Sequence, residues 1–322
     1  MEQVEVRKLQ ADKLGEVNTE ITKYSEYIGS TILPSLNEVT MSDSEAPCMK
    51  TCCRVSESNG AEAYPYVYAI GKITTRFPSL GIEKEFMQAT GRVGKEIFGL
   101  TDQKVFYKVL SDKNNRYLIR KLCWVLTIEG IDTYILKPRD PLDFDALVEA
   151  IRPSPSPMDI DVVIGVKGPI APPETCNGLM VPILAFDQTY SFDRDSFVKA
   201  LNEKRPESIP EGKFIGATEE LLDRIMQIAD NAGSMDEHRA LNYLAVRYDA
   251  IYAKAAEMHG KNFSLNGVEV SLSRLSGTRK IVSPIFSYTH RETDVTEKYF
   301  VRVDVTEEFP FLVTKLSPYY DR

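Results

Sequence analysis

Three cysteines stand close together in a polar part of the chain: Cys48, Cys52 and Cys53, spaced C-x3-CC. Thiolates at this spacing could hold zinc if a fourth ligand came from Cys123, Cys176 or a histidine, because structural zinc takes four sulfur or imidazole ligands. Beside Lys50 and Arg54 the same thiols would gain thiolate character and could form a redox or mixed-disulfide site. No second CxxC follows at zinc-finger spacing, so incidental cysteines in a polar segment are the plain alternative to both.

The chain has three histidines. His238 follows Asp236 and Glu237, which could orient it as a base, but in the first turn of a helix those acids already complement the dipole. His259 is expected at a helix C-terminus, where an imidazolium is favoured. His290 lies in the polar turn YTHRETD. A second set could read a peptide: the aromatics Tyr64, Tyr66, Tyr68 and Trp124 as walls of a groove, with Arg76, Glu83 and Arg92 as a polar face. Glu83 and Glu85 are two residues apart, roughly 200° around a helix, which argues against paired acid–base catalysis. A packed strand face for the tyrosines and a solvated face for the charges are the alternatives.

The elements that would position these residues follow from periodicity and turn chemistry. Leu14, Val17, Ile21, Tyr24 and Ile28 recur at three- and four-residue spacing and predict an amphipathic helix stopped by Pro34. It is too short for a coiled coil, and would serve either self-association or packing on its own domain. The polar stretch up to Ala63 is expected to be a linker. From Pro65 the pattern changes to a strand, with Val67, Ala69 and Ile73 on one face and Gly71 as a bulge site. Ser79 is placed to cap the next helix, Glu83 and Glu85 to complement its dipole, and Gly91 to end it.

Beyond this lie an expected helix over Asp102 to Leu110 and a hairpin of Leu122–Ile128 with Thr133–Leu136 about Gly130. A helix over Leu142 to Ile151 and strands over Val162 to Val166 and Val181 to Phe186 come next. The loop GPIAPPETCNG between those strands has no GK[ST] and is no phosphate cradle. RPESIPEGK, Arg205 to Lys213, is the expected domain boundary. Two helices should follow, Thr218–Asn231 and Met235–Met258, the second opened by a Ser234/Glu237 capping box and closed by Gly260. The last 60 or so residues alternate as strands, for example Val268, Val270, Leu272 and Tyr299, Val301, Val303, Val305, with Pro284 and Pro310 expected at edges or bulges. The expected fold class is α+β with mostly antiparallel sheet, in domains 1–63, 64–204 and 205–322.

With 39 basic against 47 acidic residues and a net charge of −8, no global field favours nucleic acid or anionic lipid. The N-terminus has no continuous apolar region of a secretory signal, and no run approaches the roughly 20 residues that span a bilayer. The expectation is a cytoplasmic protein without membrane or nucleic-acid partners, its five cysteines thiols rather than a disulfide framework.

Five blocks occur in a telling order: YVYAIGKITTRFPSLGIEKEF, LCWVLTIEGIDTYILKP, VPILAFDQ, DEHRALNYLAVRY and FVRVDVTEEFPFLVTKLSPYYD. From about Tyr64 to Arg322 the chain resembles the C-terminal domain of unknown function of PatG-type cyanobactin maturation proteases. That family tailors ribosomally made precursor peptides with a subtilisin-like domain, in some members beside a flavin-dependent azoline oxidase. None of the three histidines sits in the Gly-Thr context of a subtilisin triad, no serine lies in a GTS, and no flavin oxidase domain precedes the matched region. The resemblance thus implies an accessory or scaffold protein that binds a precursor peptide or a peptide-processing enzyme, and transfers no catalytic residue or cofactor. The alternative is a peptide-modifying enzyme with a thiol or zinc centre at Cys48, Cys52 and Cys53. A homo-oligomer built on the Leu14–Ile28 stripe is a third reading.

Overall fold

The computed structural model describes residues 66–93, 102–153 and 159–320. The Leu14–Ile28 stripe, Tyr64 and the thiols Cys48, Cys52 and Cys53 lie outside the described residues. The fold is α+β, with two mostly antiparallel sheets.

The first sheet is a closed barrel of β1 (Tyr66–Arg76), β2 (Cys123–Ile128), β3 (Ile131–Pro138), β4 (Ile160–Ile170) and β5 (Pro182–Phe192). The strand order is β1-β2-β3-β5-β4, antiparallel except for the parallel β3–β5 pair. Eleven residues let β1 serve two neighbours: Tyr66–Gly71 pair with β4 and Lys72–Arg76 with β2. That change of partner closes the barrel and removes its free edges. As the alternation predicts, Val67, Ala69 and Ile73 share one core, while Tyr68 and Ile70 face the opposite way into another.

Gly71 is not the bulge. The register shifts lie between β2 and β3 at Leu126/Thr127 and between β4 and β5 at Ile164/Gly165 and Lys167/Ile170, and Gly71 serves close approach instead, since a Cβ there would stand 2.5 Å from the Thr127 carbonyl oxygen. The two-residue turn Glu129-Gly130 joins β2 to β3 with φ of 50° and 81°, as the expected hairpin requires.

Helices α1 (Leu80–Val93), α2 (Asp102–Ser111), α3 (Arg116–Lys121) and α4 (Phe144–Ala150) add Phe86, Leu110, Leu118 and Leu147 to the core of Val67, Trp124 and Phe186. Ser79 caps α1 by accepting the Ile82 N–H (3.4 Å). Gly91 does not end α1, which runs on to Val93. With nothing near its missing Cβ and no positive φ, Gly91 is an ordinary helical residue.

On the far face of β2 and β3, Cys123, Val125 and Ile135 lie under Ala171, Cys176, Leu179 and Val181. Cys123 and Cys176 form a disulfide, with Cα atoms 5.7 Å apart. This corrects the expectation of five thiols and removes both residues from the pool of zinc ligands. Strand alternation sends Cys123 outward where Trp124 goes inward, and the loop after β4 brings Cys176 over it.

The second half packs α5 (Arg194–Glu203), α6 (Glu211–Met226), α7 (Asp236–Arg247) and α8 (Ala250–Gly260) with a four-stranded antiparallel sheet. That sheet has the order β6 (Phe263–Leu272), β7 (Ile281–His290), β8 (Thr296–Asp304), β9 (Phe311–Tyr319). The single helix expected over Met235–Met258 is broken at Tyr248, whose φ and ψ of −125° and 87° leave the helical region. The expected capping box is not formed: Met235 is the N-cap and makes no side-chain cap bond. Pro284 sits in the central strand β7 rather than at an edge. It pairs with Val270 of β6, and the β7–β8 pairing skips Ser283 and Pro284, consistent with a residue that has no N–H to donate.

One core joins the halves. Tyr68, Ile70, Val162 and Ile164 on the outside of the barrel cluster with Leu221, Leu241, Leu244, Tyr252, Phe286 and Val301. Helix α7 packs on β1 and on β7, and its buried Asn242 donates to the Tyr68 carbonyl (2.8 Å).

Candidate functional site

The residues singled out as peptide readers do not form one surface. Trp124 is 1% exposed and donates its indole N–H to the Ile119 carbonyl (2.9 Å). Tyr68, on the opposite face of the barrel wall, is buried beside α7, its hydroxyl 2.7 Å from that of Tyr190. Burial, then the neighbouring Tyr190, pushes the Tyr68 phenol up, so it stays protonated. Arg76 is ion-paired with Asp132. Glu83 stands exposed in the first turn of α1, Glu85 accepts from the Tyr117 hydroxyl (2.5 Å), and the backbone of Arg92 lies in the last turn of that helix.

His238 and His290 are placed for structure. His238 is 6% exposed, and burial lowers its pKa against the opposing charges of Glu237 and Asp230, which keeps it neutral. His290 Nδ1 accepts the backbone N–H groups of Glu292 and Thr293 (3.3 and 3.2 Å) and shapes the turn. Among the described residues no group of three His, Cys, Asp or Glu is placed to hold a metal ion.

Tyr66 belongs to a polar clasp between the two halves. The Arg239 guanidinium lies 5.4 Å over its ring and donates to the carbonyls of Val305 (2.6 Å) and Glu307. Arg139, just past β3, pairs with Asp187 of β5 (2.5 Å) and reaches Glu308 in the β8–β9 loop (3.7 Å). Burial first, then the hydrogen bond and charge of Asp187, push the Glu308 carboxyl up to about 7, with Arg139 and Arg239 opposing. A carboxyl raised in this way beside a second acid resembles half of an acid–base pair. Here Asp187 and Arg139 come from the barrel and Arg239 from α7, so the arrangement holds the β8–β9 loop to the barrel and to α7.

The exposed strand edges belong to the C-terminal sheet. The barrel has no free edge, whereas β6 and β9 end the second sheet. Along β9, Phe311 and Val313 are exposed (43% and 38%), and the Leu316 N–H donates to the Tyr248 hydroxyl (3.0 Å). Pro310 immediately precedes this strand, and Pro318 is its penultimate residue, paired with Tyr299. On the sheet face, an open groove of about 480 Å³ is lined by Ser271, Arg274, Ser283, Phe300, Arg302 and Tyr319. Sequence reasoning assigned the β8 alternation to a strand but did not single out Arg302. The signal was there: Phe300 and Arg302 alternate with Val301 and Val303, which face the core.

No helix among the described residues is long and apolar enough to cross a membrane. No curated protein matches the chain. A solved structure described as "PatG Domain of Unknown Function" is similar over 80% of this chain and 99% of that one, with a TM-score of 0.65 at 18% identity, which shows a shared fold. Residues 66–171 match the PatG Domain family and residues 208–319 the PatG C-terminal family. With both domains in sequence on one fold, the chain belongs to the PatG-type domain proteins.

Proposed function

We propose that this protein is an accessory component of cyanobactin-type peptide maturation that holds an extended precursor peptide by strand addition to β9. The family membership supports the pathway. The position of β9 at the end of its sheet supports the binding mode: Leu312 and Leu316 already bond Tyr243 and Tyr248, and an extended peptide would take the main-chain groups left over, with side-chain contacts from alternate residues such as Phe311 and Val313. The barrel offers no such edge, and its core is filled by Trp124, Tyr134 and Phe186. The role is one of presentation to a processing enzyme rather than chemistry.

Calorimetry with a precursor peptide tests this. Binding should weaken at least tenfold in Val313→Pro, which removes a strand N–H and stiffens the edge. Absence of binding by any precursor peptide, or binding unchanged in Val313→Pro, would overturn it.

A further inference from the structure

We propose that the groove on the outer face of the C-terminal sheet is a carboxylate site that takes the C-terminal end of a peptide whose last residue is aromatic or apolar. This rests on the peptide-binding reading above and names the chemistry the sheet recognises. The register brings the parts together. Ser271 of β6 is paired with Ser283 of β7, and the Val282–Val303 and Ile285–Phe300 pairs set Arg302 and Phe300 of β8 beside them. Arg274 follows in the turn after β6. The groove crosses all four strands, roughly 14 Å at 4.8 Å per strand, enough for the last two or three residues of a peptide.

Arg302 carries the argument. Its guanidinium lies 4.9 Å over the Phe300 ring, and its Nε is buried without a hydrogen-bond partner. Buried donors are almost always paired, so an unpaired Nε on a flat guanidinium invites a planar anion that accepts from it and from a terminal amino group together. Neither Arg302 nor Arg274 has an ion-pair partner among the described residues, whereas Arg279, in the connection between β6 and β7, is already neutralised by Asp304 at 2.5 Å. The serine hydroxyls add donors to the other carboxylate oxygen. Phe300 and Tyr319, ring centroids 5.6 Å apart at 71°, form an aromatic wall for the adjoining side chain. In a chain of net charge −8 such a positive groove is a local feature and not the spillover of a basic surface.

The test uses the full chain with N-acetylphenylalanine and its amide as probes, by calorimetry or NMR titration. The acid should bind at least tenfold more tightly than the amide. Arg302→Gln should abolish that preference while Arg302→Lys retains part of it, and Arg274→Gln, at an exposed turn, should weaken the acid several-fold. Melting curves establish that each variant is folded; should Arg302→Gln not fold, Arg302→Lys and Arg274→Gln decide. Equal binding of acid and amide, binding of neither, a preference unaffected by the substitutions, or equal displacement by inorganic phosphate would each overturn the proposal. Loss of precursor binding in Val313→Pro without any acid preference would sink the groove alone. An Arg302-dependent acid preference with no precursor binding would sink the edge-strand reading alone.

Discussion

The carboxylate of Asp161 accepts the backbone N–H of Ile73 at 2.6 Å, at the point where β1 leaves β4 for β2. Its other oxygen accepts from the Ser191 hydroxyl of β5. One side chain, 1% exposed, thus supports the seam of the barrel across three strands.

Burial pushes Asp161 up to about 6, against the opposing hydrogen bonds from Ile73 and Ser191. The folded value lies above the unfolded one, so the native state holds the proton more tightly and stability declines as pH rises from about 4 to 6, then levels. Asp161→Asn keeps an acceptor for Ile73 and offers Ser191 a donor, and should remove this decline from the difference curve of melting temperature against pH. Asp161→Leu leaves the Ile73 N–H unpaired and should cost about 2 kcal/mol below pH 4, a cost that shrinks as pH rises to 6 and the wild type gives up its proton. An Asn variant with the wild-type slope would refute the assignment.

Reduction of the Cys123–Cys176 bond opens a loop with a sequence separation of 53, whose closure entropy is about 4 kcal/mol. Denaturant unfolding with and without reductant should show a loss of that order, as should Cys176→Ser. Alkylation of the native protein should label at most Cys48, Cys52 and Cys53, with Cys123 and Cys176 reacting only after reduction and unfolding. Five labelled cysteines in the unreduced protein would contradict the bond.

Two glycines should respond with opposite sign. Gly233 has φ of 69°, a Cβ there would lie 2.7 Å from Ala69 Cα, and its carbonyl receives the Tyr68 N–H (2.9 Å). Gly233→Ala should cost about 3 kcal/mol or more, through strain and separation of α7 from β1. Gly91→Ala, in an open helical position, should add about 0.5–1 kcal/mol. Chemical denaturation of the two variants measures both.

Alternation placed most strands, and Ser79 and Gly130 marked their elements, because burial on one face, local capping and turn chemistry write themselves into neighbouring residues. Boundaries failed where a distant partner decided. Strands β4 and β5 run several residues beyond the expected Val162–Val166 and Val181–Phe186, since their ends pair with each other and with β1. Helix α5 and the break at Tyr248 were missed. The Tyr248 hydroxyl accepts from Leu316, 68 residues away, a contact with no local trace.

By itself the sequence determined the α+β class, the inward set Val67, Ala69 and Ile73, and the PatG-type kinship, all of which rest on the order of residues along the chain. Only the tertiary structure decided that five strands close into a barrel, that Cys123 meets Cys176, and that Tyr68 and Trp124 occupy opposite sides of one wall. It alone set Arg302 beside Ser271 and Ser283. Each of these depends on pairing between segments tens of residues apart, where the gain from buried area and shared hydrogen bonds outweighs any local preference.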